Sequence, residues 1–322
     1  MKKFDYLQPR TVEEVLHLLN HLGKKATVIA GGSDVMVMIK KKMISADVLL
    51  SLRGIPGLDQ IQYDGELRIG AMVTHRSIEK SELIRRKFSA LADAVDVLGS
   101  IQIRNVGTIG GNICTAAPSA DTATALLVLG ARVRIRSLKG ERIIPIEKFF
   151  KGPGKTVLRK KEIVTELVIP KPLAHTGSAY WKHKRRLAMD LPILGVSVLL
   201  SFDKGTISCP EILRTSSPIS SIMHTLEKEE PVCKEVRIAL GVAAPTPMRA
   251  TKAEKLLRGQ KITDELLDVV AETAAKEAQP RDSIRGEAWY RRDMIKVFVK
   301  RMAMKCIDRI VRPEETLYPV RL

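Results

Sequence analysis

The feature that most constrains this chain is a short β-branched run, Ala26-Thr27-Val28-Ile29-Ala30, that empties directly into Gly31-Gly32-Ser33-Asp34. The run reads as a buried strand. Glycine at a strand end lets a ligand approach the backbone because no Cβ intervenes, and consecutive turn N–H groups form a concavity that holds an anion. A second glycine pair, Gly110-Gly111, follows Thr108-Ile109 and precedes Asn112, and the Thr and Asn side chains are capable donors. Two such turns suit the two phosphates of a dinucleotide. Neither has the GxGxxG spacing of a nicotinamide-binding βαβ unit or the GxxxxGKS/T of a P-loop. Asp121, further along, suits two roles: accepting hydrogen bonds from ribose or ribityl hydroxyls, or capping the helix that follows it.

The surrounding pattern alternates helix and strand. Val12, Val15, Leu16 and Leu19 have helical spacing behind a Thr11/Glu14 capping box. Strands are expected at 48–52, 61–63 and 67–69, with an Asp64-Gly65 turn between the last two, and a half-exposed strand at 131–136. Helices are expected at 87–98 and 122–129, whereas 101–115, rich in Gly, Asn and Thr, reads as irregular. Pro170 and Pro172 mark a boundary. Beyond it strands are expected at 178–183, 193–202 and 236–242, then helices at 252–257, 264–278 and 290–311, with a polar excursion over 208–234.

A length of 322 residues allows two or three compact units. No apolar run approaches the roughly 20 residues of a spanning helix, so no membrane span is expected. The Met1-Lys2-Lys3 start leads into no apolar stretch of the secretory kind, and a cytoplasmic location is expected. Cys114, Cys209, Cys233 and Cys306 are scattered without CxxC spacing, which predicts reduced thiols and no local metal or iron–sulfur site. The net charge of +18 fits an anionic cofactor, an acidic partner or nucleic acid. With aromatics at only 4%, stacking platforms for bases are scarce, and nucleic-acid binding is not expected.

Five stretches in order carry a resemblance to a known family: Ala30-Gly-Gly-Ser-Asp34, Ile69-Gly-Ala-Met-Val-Thr74, Gln102 to Asn112 with Pro118 to Asp121, Ile238 to Pro247 with Arg249, and Tyr290-Arg-Arg292. Along nearly its whole length the chain resembles the FAD-binding subunit of the molybdenum hydroxylases, the group of xanthine dehydrogenase, carbon monoxide dehydrogenase and hydroxybenzoyl-CoA reductase. The resemblance implies an α+β chain: a two-lobed PCMH-type FAD-binding domain at 1–174, with a small lobe at about 1–57 and a larger one at about 58–174. A C-terminal domain at 175–322 follows, with a three-stranded sheet and a helical bundle.

The same resemblance implies noncovalent FAD, with Thr27, Val28, Ile29, Ala30, Gly31, Gly32, Ser33 and Asp34 wrapping the pyrophosphate. Thr108, Ile109, Gly110, Gly111 and Asn112 would line its other side, Thr115 would add a hydroxyl, and Asp121 would bind sugar hydroxyls. Ile163 or Val164 would meet the adenine or ring edge, and Lys182 would lie beside the flavin. Leu98 and Leu191 fall where some relatives flank the isoalloxazine, and a surface or capping role is expected for His75. Cys114 has no companions, so the 4Fe-4S cluster of some relatives is not expected. The implied function is electron relay in an oxidoreductase that is a dimer of heterotrimers. Electrons would come from a 2Fe-2S small subunit, beside a molybdopterin-binding large subunit, and go to NAD, oxygen or another acceptor. Two other classes are weighed beside it: a free-standing flavin-dependent oxidase or reductase, and a basic nucleotide- or nucleic-acid-binding module without redox function.

Overall fold

A computed structural model describes residues 2–202 and 231–313. The described residues form two compact units, neither continuous in sequence. One holds the residues up to Lys80 with Gly99–Ala117 and Gly130–Lys171. The other holds Ser81–Leu98, Pro118–Leu129 and the residues from Pro172 onward. The last crossing, at Lys171/Pro172, lies beside the expected division at 174/175.

In the first unit a parallel sheet has the strand order Asp5–Leu7, Val48–Ser51, Ala26–Ile29. Val48–Ser51 is central and buried at every position. Ala26–Ile29 is an edge strand and is buried only at Ile29, so it is half-buried where the sequence predicts a buried strand. Helix Val12–Leu22 sinks Val12, Val15, Leu16 and Leu19 into a core shared with Val48, Leu50 and Ile163. Thr11 accepts from the N–H of Glu14 at 3.1 Å, as expected, but the Glu14 carboxylate takes the N–H of Arg10 at 2.7 Å, one residue earlier than a reciprocal box.

The same unit carries a five-stranded antiparallel sheet in the order Ile61–Tyr63, Leu67–Gly70, Ile163–Ile169, Arg132–Ser137, Gly140–Pro145. Gly65, at φ 92°, makes the turn joining the first two strands. Along Arg132–Ser137, Val133 and Ile135 face the core, and the alternating arginines pair with Glu66, Glu166 and Glu13. Residues 101–115 are not irregular: they form the helices Ile101–Val106 and Ile109–Thr115. Ser100 and Thr108 accept from the N–H three residues on, and these caps offset the poor helix propensity of the glycines.

The second unit holds an antiparallel sheet in the order Thr176–His183, Leu194–Phe202, Cys233–Gly241, Met248–Arg249: the three long strands expected, with a two-residue fourth at the edge. Leu194–Phe202 is buried at all positions, including Gly195, Ser197 and Ser201 among its apolar residues. Helices Thr251–Leu257, Asp264–Glu277 and Ala288–Val311 pack into one core with this sheet. Helices Ser89–Asp96 and Asp121–Val128 come from the middle of the chain. Asp93 and Arg309 form a buried bidentate pair at 2.7 and 2.8 Å, with Ser178 O also accepting from Arg309. Cys114, Cys233 and Cys306 are free thiols, and burial pushes each up to about 12. Cys209 and residues 208–230 of the polar excursion lie outside the described residues.

Candidate functional site

The two glycine segments share the first unit and lie against each other. A Cβ on Gly31 would stand 1.9 Å from the carbonyl oxygen of Val106, and one on Gly111 would stand 3.7 Å from Ala30 Cβ. Only glycine admits this approach at position 31.

Their backbone hydrogen bonding differs. Gly32 turns left-handed at φ 82°, and among the described residues the N–H groups of Gly31, Gly32 and Ser33 meet no protein acceptor. Such half-buried, unsatisfied donors at a strand end form a cradle for an anion. In the second segment, Ile109 N–H donates to Val73 O and Gly110 N–H to Ala71 O, both at 3.0 Å. Gly111 N–H donates to Thr108 Oγ1 at 3.1 Å, and Asn112 N–H to Thr108 O at 2.9 Å. Thr115 Oγ1 donates to Gly111 O at 2.9 Å. A Cβ on Gly110 would lie 2.6 Å from Ala71 O, so this glycine serves close packing.

Thr27, Val28 and Ile29 lead into the cradle, and exposed Asp34 leaves it at the start of helix Val35–Lys40. Ile163 and Val164 are buried at the head of strand Ile163–Ile169, and Ile163 shares a core cluster with Val28 and Ala30. The cradle, the Thr108–Thr115 helix and these two residues therefore belong to one unit.

Asp121 and Lys182 belong to the other unit and are bonded to each other. Lys182 Nζ lies 2.8 Å from Asp121 Oδ2, Tyr180 Oη donates to Asp121 Oδ1 at 2.5 Å, and Lys182 also donates to Val97 O at 3.3 Å. Ala120, not Asp121, is the N-cap residue of the helix, so the capping reading fails. Burial raises the Asp121 carboxyl above its ordinary value, and the charge and hydrogen bonds of Lys182 work against that rise. Tyr180 is pushed up strongly by burial and by Asp121. Tyr180 was missed from sequence, although its signal is simple: it stands two residues before Lys182 on a strand and shares its face.

His75 does not sit at the surface. It is 2% exposed, and its Cδ2 would meet a Cβ on Gly107 at 3.2 Å. Burial, aided by the charge of Arg104, lowers it to about 4, and the ring is neutral. The capping role belongs to its neighbour Thr74, which accepts from Ser77 N–H at 3.1 Å. Leu98 is buried while Leu191 is 51% exposed, so plain core packing fits only the former. Among the described residues no cluster of His, Cys, Asp or Glu could hold a metal ion.

Comparison with known proteins gives this geometry a context. Residues 2–172 match the model of the FAD binding domain in molybdopterin dehydrogenase, and residues 219–306 match that of the CO dehydrogenase flavoprotein C-terminal domain. The xanthine dehydrogenase FAD-binding subunit of Escherichia coli O157:H7 is 31% identical over 309 residues, which cover 94% of this chain and 95% of that one. The carbon monoxide dehydrogenase medium chain of Hydrogenophaga pseudoflava is 29% identical over 300 residues, covering 93% and 95%. Among solved structures, carbon monoxide dehydrogenase from Hydrogenophaga pseudoflava superposes with a TM-score of 0.84 at 29% identity, covering 96% of this chain and 98% of that one. Quinoline 2-oxidoreductase from Pseudomonas putida 86 does so with a TM-score of 0.81 at 26% identity, covering 99% and 100%. A donor-lined glycine cradle and a full-length match on both sequence and fold agree: the chain belongs to the FAD-binding subunit family of the molybdenum hydroxylases, which are oxidoreductases.

Proposed function

We propose that this chain is the flavin-carrying electron relay of a heteromeric molybdenum hydroxylase. It would receive electrons from a 2Fe-2S small subunit, beside a molybdopterin-binding large subunit, and deliver them to NAD, oxygen or another acceptor. The observation that carries the reading is the set of unsatisfied N–H groups at Gly31, Gly32 and Ser33, which suits the pyrophosphate of a dinucleotide. Noncovalent FAD, when bound, supplies the electron chemistry.

The chain's own groups bind and orient. Residues 27–34 hold the pyrophosphate, and Ser33 adds a hydroxyl to its three backbone donors. Helix Ile109–Thr115, stiffened by its own hydrogen bonds, forms a wall beside the cradle, with Asn112 and Thr115 as its polar side chains. Asp121 and Lys182 serve the sugar hydroxyls and the ring as a prebuilt ion pair, with Tyr180 fixing the carboxylate. Ile163 and Val164 contribute an apolar edge. In sequence terms the flavin-binding domain spans 1–174, with lobes dividing near residue 57. The location is cytoplasmic and the assembly a dimer of heterotrimers. No helix among the described residues is long and apolar enough to cross a membrane.

The purified chain should carry, or take up on reconstitution, one FAD that acid releases intact. Tagged chain from its native host should bring down iron–sulfur and molybdopterin subunits. A colourless chain that takes up no FAD would falsify the reading. A yellow chain that turns over a small substrate alone, with no partners, would point instead to a free-standing oxidase or reductase.

A further inference from the structure

A buried imidazole backs the turn against which the glycine cradle rests. Val73 to His75 run antiparallel to Gly107 to Ile109: His75 N–H donates to Gly107 O and Ile109 N–H to Val73 O, both at 3.0 Å, and Thr74 lies opposite Thr108. At the end of this short ladder the His75 ring rests on Gly107, where a Cβ would stand 3.2 Å from Cδ2 and 3.7 Å from Nε2. Gly107 and Val106 in turn abut the cradle. A Cβ on Gly31 would stand 3.0 Å from Gly107 Cα as well as 1.9 Å from Val106 O. The contacts therefore run from the imidazole, through the backbone of Val106 and Gly107, to the first glycine of the cradle.

Little in this series can yield. Gly107 has no side chain to swing aside, so a displacement of the ring is taken up by backbone. The ring's own helix is held in place. Helix His75–Lys80 is tied to helix Ile101–Val106, which leads into Gly107, by the Glu79 carboxylate. That carboxylate accepts from Arg104 Nε at 2.8 Å and from a terminal nitrogen of Arg104 at 3.3 Å. His75 is 2% exposed, and among the described residues its Nδ1 has no partner. Burial keeps the ring neutral. An uncharged ring with that nitrogen unpaired acts on Gly107 by shape, filling space that a glycine cannot fill.

We propose that His75 is a positioning residue for the flavin pyrophosphate: its ring fixes the turn at Val106 and Gly107, and that turn fixes where the open N–H groups of Gly31, Gly32 and Ser33 point. The role rests on the flavin reading above and extends it to a side chain that touches no phosphate. Backbone donors hold an anion only when their directions converge, so a support one layer behind them governs affinity without meeting the ligand. Removing the ring opens a cavity into which the turn relaxes, and Gly31 loses the surface it is packed against.

The test compares wild type, His75→Ala, His75→Leu and Ile78→Val as full chains freed of flavin. FAD affinity is read by equilibrium dialysis on the folded fraction, and stability by denaturant unfolding of the FAD-free chain. His75→Ala should weaken FAD at least about tenfold, the worth of about one lost donor bond. His75→Leu refills the space without the unpaired nitrogen and should restore most of the affinity. Ile78→Val, a change at a fully buried position of the same helix, should cost stability and leave affinity unchanged. If the alanine variant does not fold, His75→Val takes its place. Undiminished affinity in His75→Ala overturns the proposal. So does an equal loss in His75→Ala and His75→Leu, which would make the nitrogens rather than the shape responsible, or an equal loss in His75→Ala and Ile78→Val, which would be general loosening. In those three outcomes wild type still binds FAD and the flavin reading stands, whereas a wild type that takes up no FAD overturns both.

Discussion

Among the described residues the backbone N–H groups around Gly31 and Gly32 are left without protein acceptors, whereas around Gly110 and Gly111 every N–H from Ile109 to Asn112 is taken up by the protein itself. In sequence the two segments look alike: a pair of glycines flanked by hydroxyl and amide or carboxylate side chains. They differ because one follows an edge strand into a left-handed turn, while the other starts a hydroxyl-capped helix. Glycine thus does two kinds of work within one unit. At 31–32 it leaves backbone donors open. At 110 it lets a helix press onto the carbonyl of Ala71, and Gly31 does both at once through its contact with Val106.

That contrast can be broken or sharpened by separating stability from flavin retention. The largest stability loss is expected away from both segments: Asp93→Ala leaves the Arg309 guanidinium buried without its anion, at a cost of about 3–5 kcal/mol in denaturant unfolding. Burial raises the Asp93 carboxyl, but the charge and hydrogen bonds of Arg309 outweigh it, so the group sits below its ordinary 3.8. A depressed folded value contributes stability above the unfolded value and loses it as pH falls through the folded one. Wild-type stability should therefore fall below pH 3.8, and Asp93→Asn should lose that part of the acid limb.

Next, Gly31→Ala should cost about 3 kcal/mol, the upper end for overpacking, and should also strip the flavin, because the Val106 backbone must move. Gly110→Ala should cost about 1–3 kcal/mol while the folded fraction keeps its flavin. Equal flavin loss in the two variants would erase the distinction drawn between the glycine pairs. The smallest stability effect should come from Ser33→Ala, within about 0.5 kcal/mol. Its FAD affinity, read by equilibrium dialysis, should nevertheless drop by the worth of one hydrogen bond, about 0.5–1.5 kcal/mol.

Much of the fold was legible because its signals are local. The period of Val12 to Leu19, the alternation along Arg132–Ser137 and the predominantly apolar stretch at Leu194–Phe202 each report burial directly. Residues 101–115 were misread because glycine and asparagine argue for a loop, whereas the hydroxyls of Ser100 and Thr108 that decide the matter act three residues away. His75 was misread because nothing in its neighbourhood of charged residues reveals that its ring packs on Gly107. The partners of Asp121 lay beyond local pattern altogether: Tyr180 and Lys182 reach it from a strand about sixty residues on, and pairing at that separation leaves no periodicity to read.

Asp93 and Arg309 are 216 positions apart, and helix Ser89–Asp96 belongs with residues that follow Pro172. On a ribosome adding about 5–20 residues per second, Asp93 therefore waits roughly 10 to 40 s for its cation to be made. During that interval Ala90, Leu91, Ala94 and Val95, all buried in the finished protein, have no core to enter. A cut at residue 172, where the family-model match ends, would likewise separate two segments from the sheet they cover.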